Sequence, residues 1–221
     1  MPQRYVTAWR AAKGAYAEEM SGPLQLEFLQ SASDVDQLPE SVAEVAMIGR
    51  SNVGKSSLLN AIANRKQLAR VSKTPGRTQL INIFELAPAG SGEWLVDLPG
   101  YGYANAPKSE QQKWARMIEK YLETRETLLC ALLLIDGEVG PTPLDLQTVA
   151  WLNSIALPHR FVATKSDKVR PSKSKARRTD VVNKLEVPRA DIRWVSATKG
   201  DGLAELRSDI VGLLRDDSSE S

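Results

Sequence analysis

Gly49, Gly54, Lys55 and Ser56 stand at the spacing Gly-x-x-x-x-Gly-Lys-Ser in the stretch GRSNVGKSS, residues 49–57. This is the P-loop pattern, and its chemistry is the holding of phosphate. Glycines let the backbone approach phosphate oxygens closely. Successive N–H groups at a helix N-terminus offer positive potential to an anion. Lys55 brings a point charge for the outer phosphates. The Ser56 hydroxyl is a ligand for Mg2+, an ion that keeps several waters and leans on substrate phosphates. Gly49, Arg50, Ser51, Asn52, Val53, Gly54, Lys55 and Ser56 are therefore the candidate cradle. The plain alternative is a glycine-containing turn that binds nothing. Eight positions of pattern between a strand-like and a helix-like run weigh against it. The spacing alone does not separate ATP from GTP.

Three later segments bear on the base and on the metal. The stretch Asp97, Leu98, Pro99, Gly100 ends an apolar run. There a carboxylate can hold a magnesium-bound water while a glycine N–H meets a terminal phosphate. Thr164, Lys165, Ser166 and Asp167 end another run. The Asp167 carboxylate can accept two N–H bonds from the edge of guanine, a donor pair that adenine lacks. The alkyl stem of Lys165 can lie along the base. Val195, Ser196 and Ala197, within VSATKG, end the last run, where a backbone N–H can reach the base carbonyl. Each match is weak alone. Their order and their position at strand C-termini, where open α/β sheets bind ligands, make the set specific.

The elements that must position these residues alternate strand and helix, the signature of an α/β fold with a largely parallel sheet. Strands are expected at 42–49, 80–87, 93–99, 128–136, about 160–164 and 191–197. The second and third flank the turn-forming stretch PAGSG and predict a hairpin, so one strand runs antiparallel. Helices are expected at 56–64, 109–125, 142–155, 172–186 and 202–216. The helix at 109–125 spaces Trp114, Ile118 and Leu122 for one face. Thr142 and Pro143 supply a start signal for the next. The stretch LQLEFLQSASDVDQLP, residues 24–39, alternates and either extends the sheet or lies along it. Residues 1–23 are expected as an arm and 217–221 as a disordered polar tail around a domain spanning 24–216.

Composition narrows the function further. The chain has 221 residues, enough for one domain with a real core. Twenty-nine Lys and Arg against 27 Asp and Glu give a net charge of +2, so bulk charge does not announce a nucleic-acid binder. One cysteine, Cys130, excludes a disulfide framework and suits a reducing, cytoplasmic setting. It sits in LLCALLLID and is expected in the core. His159 is the only histidine, which argues against a catalytic triad or a histidine metal site. The longest apolar run, Leu128 to Ile135, is too short to span a bilayer. The N-terminus lacks the apolar centre of a secretory signal.

With these residues in view, the sequence resembles the EngB (YihA/YsxC) family of bacterial GTPases, within the Era/TrmE-like superfamily. The carrying stretches are GRSNVGKSSLLNAI, KTPGRTQLINIFEL, VDLPGYGYA, ATKSDK and VSATKG. The likeness runs from about Leu24 to near the C-terminus. It implies a P-loop GTPase domain with a six-stranded, mostly parallel sheet, one strand antiparallel, flanked on both faces by five main helices. It implies GTP and GDP as the bound nucleotides, with Mg2+. Gly76, Arg77, Thr78, Gln79 and Leu80 become the first switch, with Thr78 joining Ser56 as a protein ligand to Mg2+. The residues alone would also permit Thr74. Gly100 anchors the second switch. Lys55, Thr78, Gly100 and Asn52 become the catalytic set.

Two departures from the commoner small-GTPase pattern carry consequences. Tyr101 follows Gly100 where many such enzymes place a glutamine that orients the attacking water. Slow intrinsic hydrolysis is expected, with Tyr101 packing or meeting a partner instead. Thr164 stands where guanine recognition usually begins with asparagine; the resemblance includes this variant. In resembling GTPases an asparagine at the position of Asn52 goes with stimulation by K+, an ion able to supply charge beside the phosphates. The rival role of Asn52 is support of loop geometry alone.

Lys168, Arg170, Lys173, Lys175, Arg177 and Arg178 form a basic cluster after the base loop. A solvated helix face is its ordinary meaning. The resemblance, which brings assembly of the large ribosomal subunit and normal cell division, makes this cluster and Arg4, Arg10 and Lys13 candidate contacts to ribosomal RNA. The function expected is a GTP-hydrolysing assembly switch, monomeric and without a membrane span. Its rivals are a GTP-bound scaffold at the division septum and an ATP-using kinase, against which Asp167 argues.

Overall fold

The computed structural model describes residues 22–69, 80–102 and 107–215. The expected tail at 217–221 and the expected arm, apart from Gly22 and Pro23, lie outside them. So do Thr74 and Gly76, Arg77, Thr78 and Gln79 of the expected first switch.

Seven strands form one sheet: β1 (Leu26–Ala32), β2 (Ala43–Gly49), β3 (Ile81–Leu86), β4 (Glu93–Asp97), β5 (Leu128–Asp136), β6 (His159–Thr164) and β7 (Ile192–Trp194). Their order is β1-β3-β4-β2-β5-β6-β7. β2, β4, β5, β6 and β7 are parallel; β3 runs against both neighbours, β1 and β4. One strand is therefore antiparallel, as expected, but the sheet has seven strands where six were expected. The additional strand is β1, which pairs with β3 from Leu26↔Leu86 to Ala32↔Ile81 and extends the sheet at its edge.

Five α-helices occur among the described residues: α1 (Lys55–Ile62), α2 (Lys108–Thr124), α3 (Pro143–Ser154), α4 (Pro171–Leu185) and α5 (Leu203–Arg215). They cover both faces of the sheet, and the strands read accordingly. Strands buried on both sides are nearly continuous apolar runs rather than alternating ones, and all seven residues of β2 are buried. In β5, Cys130, Leu132 and Leu134 pack with Leu58, Ile62 and Ile210 of α1 and α5. The intervening Ala131, Leu133 and Ile135 pack with Ile118, Leu152 and Val181 of α2, α3 and α4. The buried body begins at Leu24, whose N–H donates to the Ile62 carbonyl at 2.9 Å.

The parallel strands all end on one side. That side gathers the loops after β2, β4, β5, β6 and β7. From β2 the chain passes to β3 and β4 on one flank, then crosses to β5 on the other. A reversal of this kind opens a crevice at the strand ends.

Candidate nucleotide site

The P-loop leaves β2 at Gly49 and enters α1 at Lys55. Its turn is closed by the Val53 N–H, which donates to the Arg50 carbonyl at 3.1 Å. Asn52 and Gly54 have φ of 65° and 103°. A left-handed residue immediately before a helix is where glycine is needed, and Gly54 also offers no side chain to cap α1. The first N–H groups of α1, at Lys55, Ser56 and Ser57, have no intrahelical acceptor and face the helix's N-terminal end. This is the donor set a phosphate requires. Lys55 is buried at 7% exposure and its Nζ pairs with the Asp97 carboxylate. The Lys55 ammonium and the Asp97 carboxylate therefore share one place beside the start of α1. Ser56 is part-exposed beside them.

Leu98, Pro99 and Gly100 continue from β4 directly over the P-loop. The Tyr101 N–H donates to the Gly49 carbonyl at 3.1 Å, and the Ser51 N–H donates to the Tyr101 carbonyl at 2.9 Å. Gly100 lies so close that a Cβ there would stand 3.0 Å from the backbone N and Cα of Ser51. The Tyr101 side chain reaches to α3. Its hydroxyl donates to Asp145 Oδ1 at 3.0 Å. Burial first, and then the Asp145 carboxylate, push the phenol far above its ordinary pKa.

The base loop braces the same cradle. The Thr164 hydroxyl donates to the Val53 carbonyl at 2.6 Å. Thr164 thus ties the end of β6 to the P-loop without the amide of an asparagine. Lys165 adopts a left-handed conformation and folds back. Its Nζ donates to the Asn52 carbonyl at 2.8 Å and to Asp136 Oδ2 at 2.7 Å. Asp167 Oδ1 accepts the Ser196 hydroxyl at 2.7 Å, and Ser196 Oγ accepts the Lys199 N–H at 3.0 Å. The Ser166 N–H donates to the Val195 carbonyl at 3.1 Å. The segments after β6 and β7 are therefore joined through Val195 and Ser196, and Ala197 follows them directly.

Of the expected first switch only Leu80 is described. It precedes β3 and is 39% exposed. Two residues of the site escaped the sequence reading. Asp136, at the end of β5, orients Lys165 and accepts the N–H groups of Glu138 and Val139 at 3.0 and 3.2 Å. Asp145, in the first turn of α3, receives Tyr101 and stands 3.2 Å from Arg50 Nε. Asp136 had a legible signal, an acidic residue closing an apolar strand. Asp145 was legible only as part of a helix cap.

The basic cluster divides in two. Arg177 donates to the Val139 carbonyl at 2.9 Å and pairs with Asp180 at 3.0 Å. Arg178 stacks 4.6 Å from the centre of the Trp194 ring. Both serve the fold. Lys168, Arg170, Lys173 and Lys175 are exposed. Among the described residues no helix is long and apolar enough to cross a membrane.

A doubly wound sheet with a P-loop after β2, an acidic segment after β4 and paired loops after β6 and β7 defines a P-loop GTPase domain. Comparison with known proteins agrees. The profile of the 50S ribosome-binding GTPase family matches residues 44–165. The probable GTP-binding protein EngB of Citrifermentans bemidjiense is 40% identical over 198 residues, covering 89% of this chain and 91% of that protein. Its counterpart in Pelotomaculum thermopropionicum is 52% identical over 149 residues, 66% and 73% of the two chains. A crystal structure of a probable GTP-binding protein EngB has a TM-score of 0.64 at 26% identity, covering 79% of this chain and all of the other. Aquifex aeolicus Era bound to GDP.AlF4- has a TM-score of 0.60 at 27% identity, over 79% of this chain and 57% of that one. The chain belongs to the EngB family of GTP-binding proteins, and it is a GTPase.

Proposed function

We propose that the protein is a slowly hydrolysing GTP switch that acts in the cytoplasm on the large ribosomal subunit or its assembly intermediates. A role in normal cell division and septation would follow through ribosome supply. The nucleotide-binding set is Gly49, Arg50, Ser51, Asn52, Val53, Gly54, Lys55 and Ser56 with Asp97 to Gly100, Thr164 to Asp167 and Val195 to Ala197. Gly76 to Leu80 complete it. Lys55 and the first N–H groups of α1 hold the phosphates. Ser56 and Thr78 would hold Mg2+, which would supply charge neutralisation at the phosphates, with Asp97 beside them as a further polar group. Gly100 would meet the terminal phosphate and Asp167 would read guanine. Asn52 is the candidate for a K+ beside the phosphates; equal hydrolysis in K+ and Na+ would dismiss that role.

The observation that carries the partner reading is the exposure of Lys168, Arg170, Lys173 and Lys175 immediately beyond the guanine loop. A phosphate-rich partner bound there would touch the element that holds the base. The name of the matching family, a 50S ribosome-binding GTPase, supports the same partner. Slow hydrolysis is supported by the tether of Tyr101 to Asp145, which leaves no side chain at that position to orient water. The protein is taken to act as a monomer.

Co-sedimentation with ribosomal subunits in GDP, in a non-hydrolysable GTP analogue and without nucleotide tests this reading. Two salt concentrations are needed, because contacts to phosphate backbones weaken with salt. Binding to the large subunit only in the triphosphate state is expected. Intact nucleotide binding with no subunit association in any state would move the protein to the rival reading, a GTP-bound scaffold of the division septum.

A further inference from the structure

Asp145 is fully buried, and both of its oxygens are in use. Oδ2 accepts the Thr142 N–H at 2.8 Å and the Thr142 hydroxyl at 2.7 Å, which closes the capping box at the start of α3. That local task accounts for one oxygen. Oδ1 accepts the hydroxyl of Tyr101, and Arg50 Nε lies 3.2 Å from Oδ2. Neither is needed to cap a helix. Arg50 belongs to the P-loop, and Tyr101 directly follows the glycine proposed to read the terminal phosphate. One carboxylate on α3 therefore holds two segments of the nucleotide site.

We propose that Asp145 is a positioning residue that sets the preference of the site for nucleoside triphosphate over diphosphate. It does so by pinning the Tyr101 side chain and with it the peptide of Gly100. This rests on the reading that the Gly100 N–H meets the terminal phosphate. The backbone of Tyr101 is already bonded on both sides, to Gly49 and to Ser51. The phenol adds a polar attachment outside the P-loop, beside the packing of its ring against the core. A peptide held in place before binding loses little freedom when the ligand arrives. Only an interaction that differs between two states can shift the balance between them. The Gly100 N–H is such an interaction, since the diphosphate lacks the group it meets. Burial and the Asp145 carboxylate keep the Tyr101 phenol protonated, so it remains a donor.

Fluorescent-nucleotide titration of GDP and GDPNP with the full chain tests this. Tyr101→Phe removes one hydroxyl and leaves the ring in place. It is expected to lose about 5-fold in GDPNP affinity, less than the full worth of a hydrogen bond to a charged group, because only part of that bond's energy reaches the ligand through the peptide. GDP affinity should stay within about 2-fold, on the same principle that GDP does not use the bond. Asp145→Asn keeps an oxygen that can accept the phenol and removes its charge, so it should shift the ratio in the same direction by less. The double variant should be no worse than Tyr101→Phe alone, because without the hydroxyl the change at Asp145 has no bond to Tyr101 left to weaken. Thr142→Ala is the control: it weakens the cap and lowers Tm but leaves the GDPNP-to-GDP ratio unchanged. Should Asp145→Asn fail to fold, Tyr101→Phe decides alone. Equal losses for both nucleotides, or no loss for either, would overturn the inference while leaving the GTPase reading intact. A wild-type protein that binds neither nucleotide would overturn both.

Discussion

Lys55 and Asp97 neutralise each other inside the cradle, and each is assigned to a different part of Mg2+–GTP. That pairing decides what their variants do. Lys55→Ala removes the cation that faces the phosphates and leaves the Asp97 carboxylate, 2% exposed, without its partner. An unpaired buried anion beside the phosphate site repels the ligand as well. Affinity for GDP and GTP together is expected to fall on the order of 100-fold, the scale of a lost charge-assisted bond. Isothermal titration with each nucleotide checks it; a loss confined to GTP would show that Lys55 serves only the terminal phosphate. Asp167→Asn acts on the base instead. Ser196 can still donate to the new amide oxygen, so the loop keeps its brace. The second acceptor for guanine becomes a donor. Guanine nucleotides should weaken while xanthosine nucleotides, which present a carbonyl there, gain. A competition assay in which guanine remains preferred would remove Asp167 from base recognition.

At the scale of elements, β2 carries the P-loop at one end and a polar clamp at the other. Glu44, fully buried near the start of β2, accepts the Arg125 Nε at 2.6 Å, the Thr127 hydroxyl at 3.1 Å and the Tyr121 hydroxyl. Arg125 also stands 5.5 Å from the centre of the Trp94 ring. The clamp binds α2 and β5 to β2 far from the nucleotide. Glu44→Gln keeps the shape and removes the charge. It should cost about 2 kcal/mol in urea unfolding, below the figure for a fully buried broken pair because Arg125 retains contact with water. Nucleotide affinity should not change; a parallel loss of GDP binding would mean that strain passes along β2. The same scale explains what was legible. The buried strands, the hairpin and the helix starts are local patterns, and the sequence specified them closely. β1 was ambiguous because it lies at the edge of the sheet. Phe28 and Leu29 are 53% and 43% exposed there, and a register shift at Phe28/Gln30 breaks the alternation. The motif residues of the site were legible because a fixed spacing encodes them. Asp136 and Asp145 were not assigned roles because their partners, Lys165 and Tyr101, lie 29 and 44 residues away and only the folded sheet brings them together.

At the scale of the whole molecule, folding weakens one proton-binding site near neutrality. His159, the only histidine, opens β6 and is fully buried, its ring edge-on to Phe161 with centroids 5.5 Å apart. Its Nδ1 lies 3.0 Å from the Leu157 carbonyl, which assigns the proton of the neutral ring to Nδ1. Nε2 is buried, with no hydrogen-bond partner among the described residues. A second proton would therefore place a charge in an apolar site with no acceptor. Burial accordingly lowers its pKa from the ordinary 6.5, the Leu157 bond opposing the shift only in part. The sign follows. Above 6.5 both folded and unfolded chains carry a neutral ring, and the full stability is present. As pH falls below 6.5 the unfolded chain takes up the proton first, so stability is lost down to the lower, folded-state pKa. His159→Leu removes this term and also the bond to Leu157. The variant should be less stable than the wild type at pH 8, and the gap should narrow steadily between pH 6.5 and 5.5. Urea midpoints at half-unit steps read the effect, since the carboxylates contribute alike to both chains. A gap that stays constant across that interval would show that His159 titrates in the folded protein as freely as in the unfolded one.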